Sequence, residues 1–220
     1  REKVVSVLTV AAAEDIVLDL CVSGLARSID DIRSILGRTF QSTQANGVIE
    51  SMTGMLPELV PGLAEKGLIN EDFVPTPLGT AVAGSGLTIA SGLHYRDILQ
   101  GRIPQSPLGW LAAVLAVEEF HHAQAGLTAG EYRHRTYERL LTQDYGDCLP
   151  EISGFLKRSD DNCPPSFREA ALIKAVVLLV EWAQGAPVEK LEQRFQLHLG
   201  QISDLAATAA WLTGALGKIA

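Results

Sequence analysis

Glu118-Glu119 and His121-His122 bring together side-chain types that can hold a zinc ion. The spacing argues against that chemistry. A helical zinc motif sets its two histidines four residues apart on one face, whereas adjacent histidines point to different faces. A solvated helix end accounts for these residues without a metal. Arg133, His134, Arg135 and Arg139 form the one basic cluster of the chain. Arg135 and Arg139 lie one helical turn apart and share a face. A solvated face with Glu131 and Glu138 as local partners explains the same pattern. Trp211 is the third candidate. In the stretch GQISDLAATAAWLTGALGKIA, the residues Ile202, Leu205, Ala209, Leu212, Leu216 and Ile219 recur in steps of three and four and form a buried seam. Trp211 is rotated about 100° from Leu212, onto the strip Asp204, Thr208, Trp211, Ala215, Lys218. There it can stack a nucleotide base, an interaction of about 1–3 kcal/mol that is indifferent to sequence. Packing against a neighbouring helix at the seam's edge is the other reading. Ala206, Ala207, Ala209, Ala210 and Gly214 let another backbone or a strand come close.

Other chemistries have no matching motif. There is no GxxxxGK(S/T) phosphate loop: Gly217-Lys218 is followed by Ile219. Neither a dinucleotide-binding glycine fingerprint nor a GxSxG elbow is found. No catalytic residue and no metal ligand is assigned. Cys21, Cys148 and Cys163 are odd in number and lack CxxC spacing, which disfavours a disulfide framework and points to a reducing, intracellular compartment, cytoplasm or nucleoid. The 220 residues carry a net charge of −8 and are 47% hydrophobic. That composition excludes a disordered tail. It also excludes an autonomous basic nucleic-acid binder, since the charge splits into about −5 over residues 1–100 and −3 over 101–220. No apolar run approaches the ~18–20 residues of a membrane span. The first residue is Arg and not Met, so the sequence reads as a piece of a longer chain or one numbered from an internal point.

The elements that position these residues are mostly helical in period. A helix near 13–24 carries Ile16, Val17, Leu20 and Cys21; a second opens at the capping Ser28, with Asp31 in its first turn. A third runs over 45–66, and Pro57 and Pro61 predict a kink or two shorter helices there. The run GLINEDFVPTPLG, 67–79, reads as a small β-hairpin. Three helices and a hairpin are the order of a winged helix. Gly84, Gly86 and Gly92 suggest a boundary. Later helices start at Ser106-Pro107, at the capping boxes Thr128/Glu131 and Ser166/Glu169, near 149–157, at Val188 and at Gln201. The helix from Thr128 is expected to continue through Leu141. The predicted fold is mainly α, a winged-helix domain over 1–86 followed by a helical bundle over 87–220.

Three stretches, in order, resemble the C-terminal region of the Ski-two-like superfamily-two helicases of DEAD/DEAH type. SGLARSIDDIRSILGRTFQSTQ, 23–44, is similar to the family's winged-helix segment. LAEKGLINEDFVPTPLGTAVAGSGL, 63–87, is similar to its wing and the start of the next domain, and 171–220 to the last helices of its ratchet domain. The resemblance implies a winged helix and a ratchet-like bundle seated against two ATP-driven motor domains of the same chain. ATP and Mg would be held by those domains and by nothing in this stretch. The implied activity is that of an ATP-dependent DNA or RNA helicase, with a place in DNA repair. These residues would guide and grip single-stranded DNA or RNA, away from membranes, in a monomer. Trp211 falls on the family's base-stacking aromatic, with Thr208 and Lys218 beside it and Arg135 and Arg139 as secondary contacts. Asp204 departs from the family, which often has a basic residue there, and Pro57 and Pro61 depart from its uninterrupted helix. Two other readings remain open. One is a helicase-derived protein-interaction module, which the acidic composition suits. The other is a winged-helix transcription regulator. A major-groove helix needs Arg, Lys, Asn or Gln at base-reading positions. Segment 45–66 offers Asn46 and Lys66 against Glu50, Glu58 and Glu65.

Overall fold

A computed structural model describes residues 10–39, 47–101, 103–121, 126–148, 151–152 and 166–220, and these are mainly helical. The chain divides into two compact units, residues 1–93 and 94–218.

In the first unit, a 3-10 turn (Val10–Ala12) leads into α1 (Ala13–Val22), which buries Ala13, Val17, Leu18 and Cys21 along one face. Burial pushes the Cys21 thiol pKa up, as suits a small core hydrophobe. α2 (Ile29–Leu36) starts as expected at Ser28. The Ser28 hydroxyl accepts from the Asp31 N–H at 3.1 Å, and the Asp31 carboxylate accepts from the Arg27 N–H at 2.9 Å.

α3 (Val48–Glu65) holds Pro57 and Pro61 inside one continuous 18-residue helix, so of the two expected alternatives the pair of shorter helices does not form. Each proline deprives the carbonyl four residues earlier of its helical donor. Both prolines are exposed, so water can reach those carbonyls, while Ile49, Met52, Leu56, Leu59, Val60 and Leu63 stay buried on the helix's other face. Ala45 and Asn46, where this helix was expected to begin, lie outside the described residues, as does Phe40.

The expected hairpin reduces to a single antiparallel bridge, Ile69 with Pro75, and no longer strand forms among the described residues. Two cross-strand bonds flank it, from Asn70 N–H to the Val74 carbonyl and from Thr76 N–H to the Leu68 carbonyl, and the next donors are spent elsewhere: Leu68 N–H turns back to the Leu63 carbonyl and Val74 N–H to the Asn70 side chain. The Thr76 side chain starts the next element: its hydroxyl donates to the Gly67 carbonyl at 2.7 Å and accepts from Gly79 N–H at 3.1 Å, capping α4 (Pro77–Ala83). The Asn70 side chain closes the turn by accepting from the N–H groups of Asp72 and Val74. α5 (Ile89–Gln100) begins where Asp15 of α1 accepts from the Ile89 N–H at 2.7 Å.

The second unit is built around the helix Phe167–Ala183. Here α6 (Pro107–Leu115) is capped by the Ser106 hydroxyl, which accepts from Gly109 N–H, and the Glu151 carboxylate accepts from Gln105 N–H and the Ser106 hydroxyl. The far end of α6 is closed by α5: Tyr95 donates its hydroxyl to the Val114 carbonyl at 2.7 Å, and His94 Nε2 lies 3.0 Å from the Ala113 carbonyl. α7 (Glu118–His121) is one turn. The expected helix 128–141 is two, α8 (Ala129–Arg133) and α9 (Thr136–Tyr145), because Arg135 takes a left-handed conformation at φ 49°. A 3-10 turn (Gly146–Cys148) follows. α10 (Phe167–Ala183) is buried from Leu172 through Val180, a stretch that is apolar apart from Lys174. It packs against α6, α9 and α11 (Val188–Phe195), and α12 (Leu199–Ile219) ends the chain. The helix expected over 149–157 lies mostly outside the described residues; so do His122 and Cys163. No helix among the described residues is long and apolar enough to cross a membrane.

The glycines of the first unit supply a paired prediction. A Cβ on Gly79 would sit 2.0 Å from the Leu68 carbonyl oxygen, whereas one on Gly62, inside α3, meets nothing within 4 Å. Gly79→Ala is therefore expected to destabilise by about 1–3 kcal/mol through backbone displacement. Gly62→Ala is expected to stabilise by about 0.4–1 kcal/mol. Denaturant unfolding of both variants checks the pair.

Candidate nucleic-acid interface

α12 has 21 residues and a defined start. The Gln201 side chain accepts from the His198 N–H at 3.0 Å, and Glu192 of α11 accepts from the Leu199 N–H at 2.7 Å. Ile202, Leu205, Ala209, Leu212 and Leu216 are buried as the seam requires, and Ile219 is half-buried. Ala215, expected on the outer strip, belongs to the buried face. Its methyl is small enough to sit at the seam's edge, where Trp211 is too large to follow.

Trp211 is 42% exposed, on the same side of the helix as exposed Asp204 and Lys218 and half-buried Thr208. The helical rise puts Thr208 about 4.5 Å below Trp211 along the axis and Lys218 about 10.5 Å above it. A planar ring, an ammonium and a hydroxyl therefore share one strip. The Thr208 hydroxyl donates to the Asp204 carbonyl at 2.9 Å. In that rotamer it presents lone pairs only, so it can accept from a ligand hydroxyl or amino group but cannot donate to a phosphate.

The arginine cluster lies at the corner between α8 and α9. Arg133, His134, Arg135 and Arg139 are all exposed. Arg139 N–H donates to the Arg135 carbonyl at 3.0 Å, which places the two one turn apart as expected. Arg135 reaches Glu138 at 3.8 Å, a loose pairing. Glu131 does not serve as a surface partner. It is buried, and its carboxylate pairs with Lys174 at 3.1 Å.

That pair is the residue set the sequence reasoning missed. Lys174 has no exposed side-chain surface. Its ammonium donates to Glu131 and to the Gly126 carbonyl and stands 5.1 Å from the centre of the Tyr137 ring. The Tyr137 hydroxyl donates to the same Glu131 oxygen, and the Thr128 N–H donates to the other at 2.6 Å. Tyr137 stacks on Phe195 at 5.6 Å. Burial lowers the Lys174 pKa and the Glu131 charge counteracts this. Burial raises the Glu131 pKa, but donors from Tyr137, Thr128 and Lys174 hold it below its usual value. Burial and the Glu131 contact push the Tyr137 hydroxyl pKa well up. The sequence carried one signal of this arrangement: Lys174 is the lone charge inside ALIKAVVLLV. The set is closed to solvent and satisfied, so it serves structure, not chemistry.

The first unit holds a cleft of about 230 Å³ lined by Asp15, Leu18, Asp19, Ala83 and Thr88. Burial and the neighbouring Asp15 raise the Asp19 pKa, while Asp15 is occupied in capping α5. The α12 strip and the arginine corner are the outward-facing groups that make up the candidate interface. No protein family and no curated protein matches the chain.

The buried pair generates a pH-resolved prediction. Glu131→Gln leaves the Lys174 charge without a counter-charge and is expected to cost about 3–5 kcal/mol at neutral pH. That cost is expected to shrink as pH rises toward the ordinary lysine value of 10.5, because the folded variant favours neutral Lys174. The wild-type protein draws full stability from Glu131 above about pH 4.5 and loses it as pH falls through the lower folded value. The variant is expected to lack that part of the acid limb. Thermal melting across pH of both proteins checks both limbs.

Proposed function

We propose that this chain is an accessory region of an ATP-dependent nucleic-acid helicase. It guides and grips single-stranded DNA or RNA while motor domains elsewhere in the parent chain bind ATP and Mg. The first unit acts as a winged-helix joint and the second as a ratchet-like bundle. Exposed Trp211, standing off the buried seam of the longest described helix, carries the reading. It stacks a base, and Lys218 contacts the strand backbone. Thr208 joins in if its hydroxyl leaves the Asp204 carbonyl. The ordered resemblance of 23–44, 63–87 and 171–220 to the helicase family supports the same assignment. A net charge of −8 is compatible with it because stacking needs no cation, and the channel's positive charge then comes from other domains.

A protein-interaction module is the second reading. Exposed Leu25 and Val74 in the first unit favour it, together with the acidic composition.

Trp211→Ala is expected to weaken binding of a single-stranded oligonucleotide by roughly 5- to 150-fold, the worth of one stacked base. It is also expected to uncouple strand binding from ATP hydrolysis in the full-length helicase. Trp211→Phe is expected to keep most of both. Unchanged affinity and unchanged strand-stimulated ATPase in Trp211→Ala would sink the assignment. Absence of strand binding at low salt, with a protein partner still bound, would favour the interaction module.

A further inference from the structure

The α8–α9 corner differs from the solvated face that its sequence suggests. A neutralised face needs Glu131 and Glu138 beside the arginines. The fold instead draws Glu131 inward to Lys174. Glu138 lies 3.8 Å from Arg135, a loose pairing. Arg133 and Arg139 are exposed and make no ion pair among the described residues. An aromatic edge adjoins them. Tyr132, next to Arg133 in sequence, meets Phe167 at 5.5 Å between ring centres, tilted by 55°, and Phe167 is 49% exposed.

We infer that this corner is a second contact for single-stranded nucleic acid: Arg133, Arg135 and Arg139 take the phosphodiester backbone and Phe167 takes a base. The inference rests on the proposed reading of the chain as a nucleic-acid-handling region and adds a charged contact to the stacking contact at Trp211. An acidic peptide would satisfy the arginines but leave the exposed ring without a role. A strand supplies both the phosphates and the flat apolar surface. Arginine suits the task because its planar, always-charged fork matches phosphate oxygens in pairs. The contact reads no sequence, since it touches backbone and ring faces only.

Salt dependence separates the two contacts. Each phosphate neutralised on a single strand contributes about −0.7 to the slope of log affinity against log salt, and a stacked base contributes nothing to it. The test is fluorescence anisotropy of the 220-residue chain with a labelled oligothymidine over a salt series. Arg133→Gln with Arg139→Gln is expected to lower low-salt affinity about tenfold or more and to reduce the slope by about 1.4. The corresponding pair of Lys substitutions is expected to keep the slope. Phe167→Leu is expected to weaken binding on the order of tenfold with the slope unchanged. Thermal melting of each variant, expected to match the wild type because these side chains are exposed, verifies the fold. If the double Gln variant keeps both affinity and slope while Trp211→Ala binds weakly, the corner is overturned and the Trp211 contact stands. If Trp211→Ala binds normally and the double Gln variant loses slope, the corner stands and the Trp211 contact falls. A wild-type chain that binds polyglutamate but not the oligonucleotide, or that binds neither, overturns the corner as a strand contact.

Discussion

A lysine ammonium with no exposed surface organises the second unit. Taking Lys174 out of water costs several kcal/mol, and that cost is tolerable only if its charge and its protons are satisfied inside. Glu131, the Gly126 carbonyl and the Tyr137 ring meet those demands. They come from three different stretches of chain, so satisfying one cation fixes α8, α9 and the approach to α8 against α10. Tyr137 extends the set to α11 through its stack on Phe195. Outside it, Arg194 of α11 pairs with Asp144 of α9 at 2.9 Å and with Glu181 of α10 at 3.3 Å. Those outer pairs are partly solvated and contribute little energy. Their value is in orientation, while the buried pair supplies the constraint.

That constraint has a consequence at the surface. A carboxylate committed to the interior is unavailable to neighbouring arginines. In a chain of net charge −8, the corner between α8 and α9 thereby becomes locally cationic. The left-handed backbone at Arg135 adds to this by dividing one helix into two short ones and turning the arginines out at the joint. On α12 the partition is simpler. One face is consumed by burial, and a residue too large for the seam's edge, Trp211, is left outside it.

The first unit follows a different logic, in which short-range chemistry stops elements from growing. The β-ladder ends after one bridge because Leu68 N–H is spent on the Leu63 carbonyl and Val74 N–H on the Asn70 side chain, and the Thr76 hydroxyl at once caps α4. Gly79 lets that helix lie against the Leu68 carbonyl at a distance that excludes any side chain. Pro57 and Pro61 fail to stop α3 because an apolar face of six buried residues outweighs two hydrogen bonds lost on the exposed side.

Much of this architecture was legible in the sequence. Helical periodicity, the caps at Ser28, Ser106, Thr128 and Ser166, and the α12 seam all depend on neighbours within one or two turns, and local spacing encodes them. The off-seam position of Trp211 was legible for the same reason. The break at Arg135 and the continuity of α3 through its prolines were not, because in each a local preference competes with packing by residues far along the chain; the failure of the hairpin to extend rests on short-range bonds at Leu68, Asn70 and Thr76 that apolar spacing does not display. The charge state of the arginine corner lies further still from the sequence. Glu131 is eight residues or fewer from every arginine there, yet its partner is Lys174, on another helix. By itself the sequence determined which faces are apolar, where helices begin and which side chains could touch a strand. Only the tertiary structure decided which carboxylate is spent indoors, because the desolvation of a single lysine is settled by whatever the fold brings beside it.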